Sequence, residues 1–290
     1  MSRQPLRDAM AAAAEKLRAA GVASPRADAE QLAAHLLGVP RTRLALIPLV
    51  EPAMLDAYHA MVDQRAKRIP LQYITGIASM GNIDIEVGPG VFVPRPETEL
   101  LLAWALGFLE AHGPHNPTVL DLCTGTGALA LAIAHARPDA VVHAVELDPR
   151  ALEWARRNAG HRAESGDTPI VLTAGDAGDP ALLPDLDGKV DVIVSNPPYI
   201  PAGAELEPEV AEHDPPQALF SGADGLDLIR AMVPNLRRWL RPGGGLAIEH
   251  DDTNGAGVAD LLNAGGAFID VAEHPDLAGK PRYIVAGRAS

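Results

Sequence analysis

The N-terminal residues of the chain carry apolar side chains at helical spacing. Over Leu6–Leu17 they recur on one face of a helix, and the same spacing continues after Ser24-Pro25 until Gly38. Serine before proline is typical of a helix start, and glycine is typical of a helix end. A further helix is predicted over Ala53–Val62, so residues 1–70 are expected to form a small helical domain.

From Thr118 onward, the pattern changes to short apolar runs separated by helical segments. The predicted strands are Val119–Leu122, Val141–Glu146, Ile170–Thr173, Val190–Ser195 and Gly245–Glu249. The helices predicted between them are Ala128–Ala136, Pro149–Asn158 and Leu226–Leu240. Strands that alternate with helices imply βαβ units, so an α/β fold with a mostly parallel sheet is expected.

Two further segments complete this organisation. The strand-like segments Phe268–Val271 and Arg282–Val285 have no full helix between them, so they predict a closing antiparallel hairpin. Ahead of the sheet, residues 71–94 are predicted to be a linker with a short hairpin that includes Ile83–Val87. Residues 95–290 are then expected to form the α/β domain.

Composition narrows the classes of function. The chain has 290 residues, of which 47% are hydrophobic, and its formal net charge is −14. Direct nucleic-acid binding is not expected of so acidic a chain, and a protein partner is favoured. The single cysteine and the lack of a signal peptide or a long apolar run favour the cytoplasm, without membrane association. No spacing of His, Cys and carboxylate residues predicts a metal site.

The tetrapeptide Asn196-Pro197-Pro198-Tyr199 carries the most informative chemical signal. It directly follows a predicted strand, and open α/β sheets hold their ligands at the carboxyl ends of strands. The prolines stiffen the backbone and lack N–H groups, so the backbone there offers carbonyl acceptors only. A side-chain amide, these acceptors and an aromatic face suit a planar target that carries an NH2 group. For the tetrapeptide alone, an ordinary proline-rich turn is the alternative.

A glycine-containing loop, Asp121–Gly127, lies between the first predicted strand and the first helix of the sheet. Glycines let the backbone approach a ligand, and the helix points its free N–H groups at that ligand. Glu146 ends the next strand, where a carboxylate accepts hydrogen bonds from ribose hydroxyls. These features fit any adenosine-bearing cofactor, including NAD.

Asp121 favours S-adenosylmethionine (AdoMet) over NAD, because a carboxylate repels a pyrophosphate but attracts the ammonium group of a methionine moiety. Gly175-Asp176, after the third predicted strand, is in the expected place for a contact with adenine, although it also fits an ordinary turn. The predicted cofactor residues are Asp121, Cys123, Thr124, Gly125, Thr126, Gly127, Glu146, Asp176, Ala177 and Asn196.

These residues, in this order, resemble the HemK/PrmC family of class I methyltransferases, which methylate a glutamine side-chain amide in peptide chain release factors. The segments that carry the resemblance are Ser24–Glu30, Pro94–Glu99, Asp121–Gly127, Asn196–Tyr199, Ala218–Leu226 and Leu246–His250. The tetrapeptide is shared with DNA adenine methyltransferases, so it specifies the acceptor chemistry. The sequence Pro-Arg-Pro-Glu-Thr-Glu at Pro94–Glu99 is far more specific.

The resemblance implies a Rossmann-like class I methyltransferase domain preceded by a helical substrate-recognition domain. It implies AdoMet as the methyl donor, S-adenosylhomocysteine as the product, and no metal. The substrate would be the glutamine in the Gly-Gly-Gln loop of a release factor. The catalytic and substrate-binding residues would be Asn196, Pro197, Pro198 and Tyr199, with Arg95 and Glu97 added for substrate binding.

Some positions depart from the family pattern or allow a second interpretation. Cys123 stands where many members carry glycine, Glu146 where aspartate is common, and Ala177 where some members have a bulkier residue. Arg95, Glu97 and Glu99 are expected on the rim of the active site, but Glu97 and Glu99 could equally cap the predicted helix Leu100–Leu109.

Other functions compete with this one. A DNA or RNA adenine N6-methyltransferase would use the same tetrapeptide on a flipped-out base, but the acidic charge weighs against it. A binding module without activity is disfavoured by the intact loop and tetrapeptide. An NAD-dependent oxidoreductase is disfavoured by Asp121.

Overall fold

The computed structural model describes residues 3–290, so Met1 and Ser2, the first residues of the predicted helical domain, lie outside it. The described residues form two compact units. The helical unit contains the residues up to Ile77 together with Leu206–His213, and the sheet unit contains Ala78–Glu205 and Asp214–Ser290. The domain boundaries at residues 70 and 94 stay sequence predictions.

The helical unit packs its apolar helix faces into a core of its own. Its longer helices are Leu6–Ala19, Pro25–Leu37 and Pro52–Ala66, and two short strands, β1 (Gln4–Pro5) and β2 (Leu49–Val50), pair beside them. Leu17 and Leu32 are fully buried in this core. The hydroxyl of buried Tyr58 donates a hydrogen bond to the Ala29 carbonyl at 2.9 Å, which satisfies its polar end.

A buried ion-pair cluster holds the segment Leu206–His213 within the helical unit. The Arg65 guanidinium donates to Asp28 at 2.7 Å and to Glu209 at 2.8 Å. Arg68 also pairs with Glu209. Burial raises the pKa of Glu209, but the hydrogen bonds from the two arginines outweigh it and bring the pKa down to about 2. Glu209 therefore stays ionised, and its charge is matched inside the unit.

Replacement of Arg65 by methionine is expected to destabilise the helical unit. The Arg65 side chain is only 8% exposed, and its loss leaves Asp28 as a buried carboxylate without its partner. Breaking a buried pair in this way costs about 3–5 kcal/mol of unfolding free energy, which chemical denaturation measures. Arg3→Met is the control, because the Arg3–Glu51 pair is largely exposed and contributes little. Unfolding of the Arg65 variant at the wild-type midpoint would contradict the expectation.

The chain between the two predicted domains contains a helix that the sequence pattern did not predict. This helix, Leu71–Thr75, begins after Pro70 and ends at Gly76, whose backbone is left-handed. Five residues are too few to show an amphipathic period. The predicted hairpin follows as β3 (Ile77–Met80) and β4 (Ile83–Glu86).

Within the described residues, seven strands form the main sheet. They are β5 (Thr118–Leu122), β6 (Val141–Glu146), β7 (Val171–Ala174), β8 (Val190–Ser195), β9 (Leu240–Glu249), β10 (Phe268–Pro275) and β11 (Pro281–Arg288). Their spatial order is β10-β11-β9-β8-β5-β6-β7. The strands β5 to β9 pair in parallel, whereas β11 is antiparallel to both β9 and β10. The α/β fold, the mostly parallel sheet and the closing antiparallel hairpin are therefore confirmed.

Helices cover the sheet, which explains why its central strands are mostly apolar. These helices are Glu99–His112, Ala128–Ala136, Pro149–Glu164, Asp227–Trp239 and Gly255–Asn263. All six residues of β8 are buried, as expected for a parallel strand with both faces covered. The third parallel strand begins one residue later than predicted. Among residues 3–290, no helix is long and apolar enough to cross a membrane.

The strand order places a crevice at the carboxyl ends of β5 and β8. From β5 the chain continues to β6 and β7 on one side, and then returns to β8 on the other side of β5. Connections that leave in opposite directions open a crevice at this point, where α/β sheets hold their ligands.

Candidate active site

A cavity of about 360 Å³ opens at the carboxyl ends of the parallel strands, inside the sheet unit. Most of the site residues predicted from the sequence line it. They are Asp121, Cys123, Thr124, Gly125, Thr126, Glu146, Asp176, Ala177, Asn196, Pro197, Pro198 and Tyr199. Gly127, Arg95 and Glu97 lie outside this lining. The structure thus brings the glycine loop, Glu146 and the tetrapeptide together around one cavity. The volume of this cavity suits a small-molecule ligand.

The loop after β5 turns sharply through left-handed backbone positions. Gly125 has a φ of 59° and Gly127 a φ of 82°, and Cys123, which is not a glycine, has a φ of 60°. Such a conformation favours glycine, so the backbone at Cys123 is strained for a residue with a Cβ. Burial raises the pKa of the Cys123 thiol, so it stays protonated and is a poor nucleophile.

Asp121 lies at the end of β5 and is 2% exposed. Its Oδ2 accepts hydrogen bonds from the Thr124 hydroxyl and from the Ala130 N–H, the latter at 3.2 Å. Burial raises the pKa of Asp121 to about 7, and the nearby Glu146 charge adds to the rise. Burial and the Glu146 charge both disfavour the ionised form of Asp121. A cationic group bound in the cavity would stabilise that form, so the site favours such a group.

Glu146 ends β6 and orders two neighbouring backbone segments. Its carboxylate accepts from the Gly125 N–H at 2.7 Å and from the Asp148 N–H at 2.8 Å. Burial raises the pKa of this group. The carboxylate therefore fixes the glycine loop while it faces the cavity, where it can accept hydrogen bonds from ligand hydroxyls.

The side chain of Asn158 holds the glycine loop through hydrogen bonds, and the sequence did not indicate this role. Its Nδ2 donates to the Thr126 and Glu86 carbonyls, each at 3.0 Å, and its Oδ1 accepts from the Glu86 N–H. This buried amide connects the loop to strand β4. Its position in an ordinary amphipathic helix gave no signal of this role.

The cavity also has an apolar region next to Glu146. Leu147 lines the cavity and is 65% exposed, so its side chain is available to an apolar part of a ligand. Ala177 is buried, and the exposed Asp176 side chain accepts from the Gly178 N–H at 2.8 Å in a local turn. Leu147 was missed, although an apolar residue directly after a strand-end acid was a signal that could have found it.

A chain of hydrogen bonds links the tetrapeptide to two residues that the sequence analysis did not select. Asn196 Nδ2 donates to Thr98 Oγ1 at 3.0 Å, and Thr98 Oγ1 donates to Glu249 Oε2 at 2.8 Å. The Tyr199 hydroxyl donates to the other oxygen of Glu249 at 2.8 Å. Within residues 3–290, no hydrogen bond reaches Asn196 Oδ1, so this acceptor is left open in the cavity wall.

The backbone after the tetrapeptide is held by close contacts. Asn254 Nδ2 donates to the Tyr199 carbonyl at 2.9 Å, and the Ile200 N–H donates to the Leu219 carbonyl at 2.8 Å. Gly225 approaches Tyr199 so closely that a Cβ there would lie 2.2 Å from the Tyr199 carbonyl oxygen. Its φ is 78°, so both the space and the backbone require glycine.

Arg95 and Glu97 lie beside the cavity rather than in its wall. Arg95 pairs with the buried Asp214 side chain and packs 4.9 Å from the centre of the Phe92 ring. Thr98 is the N-cap of the helix Glu99–His112 and makes no side-chain capping hydrogen bond, and Glu99 is an acidic residue in the first turn of this helix. Thr98, between Glu97 and Glu99, is the buried residue of this segment. Across residues 3–290, no group of three or more His, Cys, Asp and Glu side chains is placed to hold a metal.

Comparison with known proteins decides the family. The model of the PrmC N-terminal domain matches residues 8–76, and that of the methyltransferase small domain matches residues 89–214. A release factor glutamine methyltransferase of Mycolicibacterium smegmatis is 53% identical over 283 residues, covering 98% of this chain and 98% of its own. The chain belongs to the family of release factor glutamine methyltransferases.

Two other proteins are similar to this member of the family. The release factor glutamine methyltransferase of Mycobacterium tuberculosis is 49% identical over 290 residues, covering 98% of this chain and 91% of its own. A solved structure of a 16S rRNA N2 methyltransferase of T. Thermophilus, in complex with AdoMet and guanosine, is 25% identical. It covers 73% of this chain and 49% of its own, with a TM-score of 0.50. The family resemblance drawn from the sequence is therefore confirmed.

Proposed function

We propose that this protein transfers the methyl group of AdoMet to the side-chain amide nitrogen, N5, of the glutamine in the Gly-Gly-Gln loop of peptide chain release factors. The observation that carries the proposal is the similarity over nearly the full length of both chains to release factor glutamine methyltransferases. The site supports it, because an open amide oxygen stands in the wall of a cavity that also contains two buried carboxylates.

The residues of the cavity fit AdoMet by the chemistry of their side chains. Asp121 would hold the ammonium group of the methionine moiety, and Glu146 would accept from the ribose hydroxyls. Leu147 and Ala177 would pack against adenine, with Asp176 at its edge. The backbone of Cys123, Thr124, Gly125, Thr126 and Gly127 would line the methionine moiety, where glycine leaves room for close approach. Asn196 completes the set of predicted cofactor contacts.

The tetrapeptide would orient the glutamine amide for the reaction. Bound AdoMet supplies an electrophilic methyl group on a sulfonium, whose sulfur keeps the bonding pair when the N–C bond forms. An amide nitrogen is a weak nucleophile, because its lone pair is delocalised into the carbonyl. Asn196 Oδ1 and the Pro197 carbonyl would each accept one of its N–H groups, which holds the nitrogen in place and favours a tetrahedral nitrogen. Pro198 would keep the backbone rigid, and Tyr199 would pack on the amide plane.

After transfer, the nitrogen carries an extra proton, and the product cation is acidic enough to release it to water. No strong base is therefore needed before the methyl group moves. Arg95 and Glu97 would act from beside the cavity, Arg95 by holding the segment that begins at Asp214.

AdoMet affinity is expected to fall as the pH decreases below about 7, the pKa to which burial raises Asp121. The protonated carboxyl is neutral and no longer attracts the ammonium group, so the Kd rises by up to about tenfold per pH unit. Calorimetry across this pH range measures the effect. Glu146, with a pKa that burial also raises, acts in the same direction. Asp121→Asn isolates the contribution of Asp121, since it should bind AdoMet weakly with a flatter pH dependence. An equally steep dependence in this variant would assign the titration to another group.

The helical unit would recognise the protein substrate. We propose residues 1–70 as the substrate-recognition domain, residues 71–94 as the linker and residues 95–290 as the methyltransferase domain. Direct nucleic-acid binding and membrane association are not expected, and a substrate in translation termination favours the cytoplasm.

Methyl incorporation from labelled AdoMet tests the proposed function against its main alternative. The purified protein is incubated with a release factor in one reaction and with an adenine-containing oligonucleotide in another. We expect label in the release factor and none in the oligonucleotide. Label in the oligonucleotide alone would support an adenine N6-methyltransferase instead, and binding of AdoMet without any transfer would support a binding module.

A further inference from the structure

The orientation of the Asn196 side-chain amide decides what the site offers to its substrate. With Oδ1 in the cavity, the site presents an acceptor to the N–H groups of the glutamine amide. A rotation by half a turn would instead present Nδ2, whose N–H donors would oppose the donors of the substrate. An amide on the wall of an open cavity needs a partner that distinguishes its two ends.

Thr98 is a partner of that kind, because its hydroxyl proton is already used. Thr98 Oγ1 donates to Glu249 Oε2, so the same oxygen can only accept in its contact with Asn196. An accepting oxygen requires Nδ2, not Oδ1, at the end of the amide that faces Thr98. The direction of one hydrogen bond thereby sets the direction of the next.

Glu249 sets the direction of this chain of hydrogen bonds at its buried end. It is 1% exposed and accepts one hydroxyl on each carboxylate oxygen, from Thr98 and from Tyr199. Burial raises the pKa of Glu249, while the two hydroxyl donors and the charge of Arg282 oppose the rise. Burial and Glu249 together raise the pKa of Tyr199 far above its usual value, so the phenol keeps the proton that it donates.

We propose that Thr98 and Glu249 are positioning residues, which hold the Asn196 amide with Oδ1 toward the substrate and fix the Tyr199 ring beside it. The proposal rests on the proposed function, since it names the residues that prepare that site for an NH2-bearing acceptor. Neither residue needs to touch the glutamine. Their effect reaches the reaction through Asn196 and Tyr199.

Thr98→Val and Thr98→Ser form a matched pair that tests this role. Valine keeps the shape of the side chain but removes the hydroxyl, whereas serine keeps the hydroxyl. For Thr98→Val we expect kcat to fall by about tenfold to a hundredfold, because the acceptor atom loses its fixed position. The Kd for AdoMet should change little. The thermal unfolding midpoint is expected to fall, because buried Glu249 loses a hydrogen-bond donor, so kcat is measured below the unfolding transition of each variant. Thr98→Ser should recover most of the lost kcat. Wild-type turnover in the valine variant, or equal losses in both variants, would overturn the proposal.

A second variant tests whether the two residues act through one chain of hydrogen bonds. Glu249→Gln replaces an acceptor-only group by one that can also donate, so it should lower kcat in the same way. If both act through Asn196, the double variant Thr98→Val/Glu249→Gln should be no slower than the slower single variant. Losses that multiply would show independent roles and overturn the proposal.

A measurement without turnover separates the proposal from the proposed function. The side-chain amide resonances of Asn196, identified by their loss in Asn196→Ala, should show slow hydrogen exchange in the wild type and in Thr98→Ser. Exchange should be faster in Thr98→Val, where Nδ2 has no acceptor. Equal exchange in all three proteins would contradict the role of Thr98. Failure of the wild type to methylate a release factor would refute the proposed function, but would leave this result valid.

Discussion

Asn196→Ala is expected to lower kcat by about a hundredfold to a thousandfold, with the Kd for AdoMet within about threefold of the wild-type value. The variant removes the open acceptor of the cavity wall, so the amide of the substrate loses one of the two groups that hold its N–H donors. The carboxylates of Asp121 and Glu146 stay in place, and for this reason cofactor binding should persist. Single-turnover kinetics with a release factor and calorimetry with AdoMet measure the two quantities.

The control for this variant is Asn263→Ala, which removes an exposed asparagine at the end of a helix far from the tetrapeptide in sequence. It should have the kcat of the wild type. Near-normal turnover of Asn196→Ala would refute the acceptor role of this side chain. Loss of AdoMet binding, with the fold intact, would show that Asn196 serves the cofactor more than the substrate.

The second large effect is expected for Glu146→Ala, which should weaken AdoMet binding by about a hundredfold to a thousandfold, or about 3–4 kcal/mol. The substitution removes the acceptor proposed for the ribose hydroxyls. It also leaves the Gly125 and Asp148 N–H groups without their hydrogen-bond acceptor, so the glycine loop loses its support. Calorimetry with AdoMet measures the Kd.

Two further variants serve as controls for Glu146→Ala. Glu146→Asp keeps a carboxylate on a side chain that is shorter by one methylene, and it should lose no more than about tenfold in affinity. Glu164→Ala changes an exposed residue at the end of the helix Pro149–Glu164 and should bind AdoMet like the wild type. An unchanged Kd in Glu146→Ala would exclude the proposed ribose contact.

The fold was predictable because its signals are local. Four of the six residues of the strand β8 are apolar, and the burial of the strand on both faces matches that pattern. The glycine loop and Glu146 follow strands directly, so the edge of the sheet where they lie could be inferred from topology alone. The same reasoning brought Asn196 to that edge. For these residues, a position at or directly after a strand end was enough to predict that they line the site.

The support around the tetrapeptide was not predictable, because it depends on contacts between distant positions. Thr98 and Glu249 are 151 positions apart, and their hydrogen bond leaves no periodic or spacing signal in the sequence. The prediction selected the charged residues Glu97 and Glu99 of the segment before the sheet, whereas the buried residue is Thr98 between them. Nothing in the sequence around Thr98 marks it as a site residue. Its role follows only from the side chains that it contacts in the fold.

The segment Leu206–His213 was unpredictable for the same reason. It lies in the sequence of the methyltransferase domain, but it belongs to the helical unit through the ion pairs of Glu209 with Arg65 and Arg68. A division of the chain into consecutive domains cannot assign to the helical unit a segment that lies within the sequence of the other domain. Arg95 likewise acquires its partner, Asp214, from a position 119 residues later.

The central claim is that the methyl group arrives on a glutamine side-chain nitrogen, and fragment mass spectrometry tests it most directly. A release factor is incubated with this protein and AdoMet carrying a labelled methyl group, then digested and fragmented. We predict a single added methyl group on the glutamine of the Gly-Gly-Gln loop, and none after incubation with Asn196→Ala. A labelled methyl group on any other residue, or an unmodified release factor beside a protein that binds AdoMet, would contradict the account.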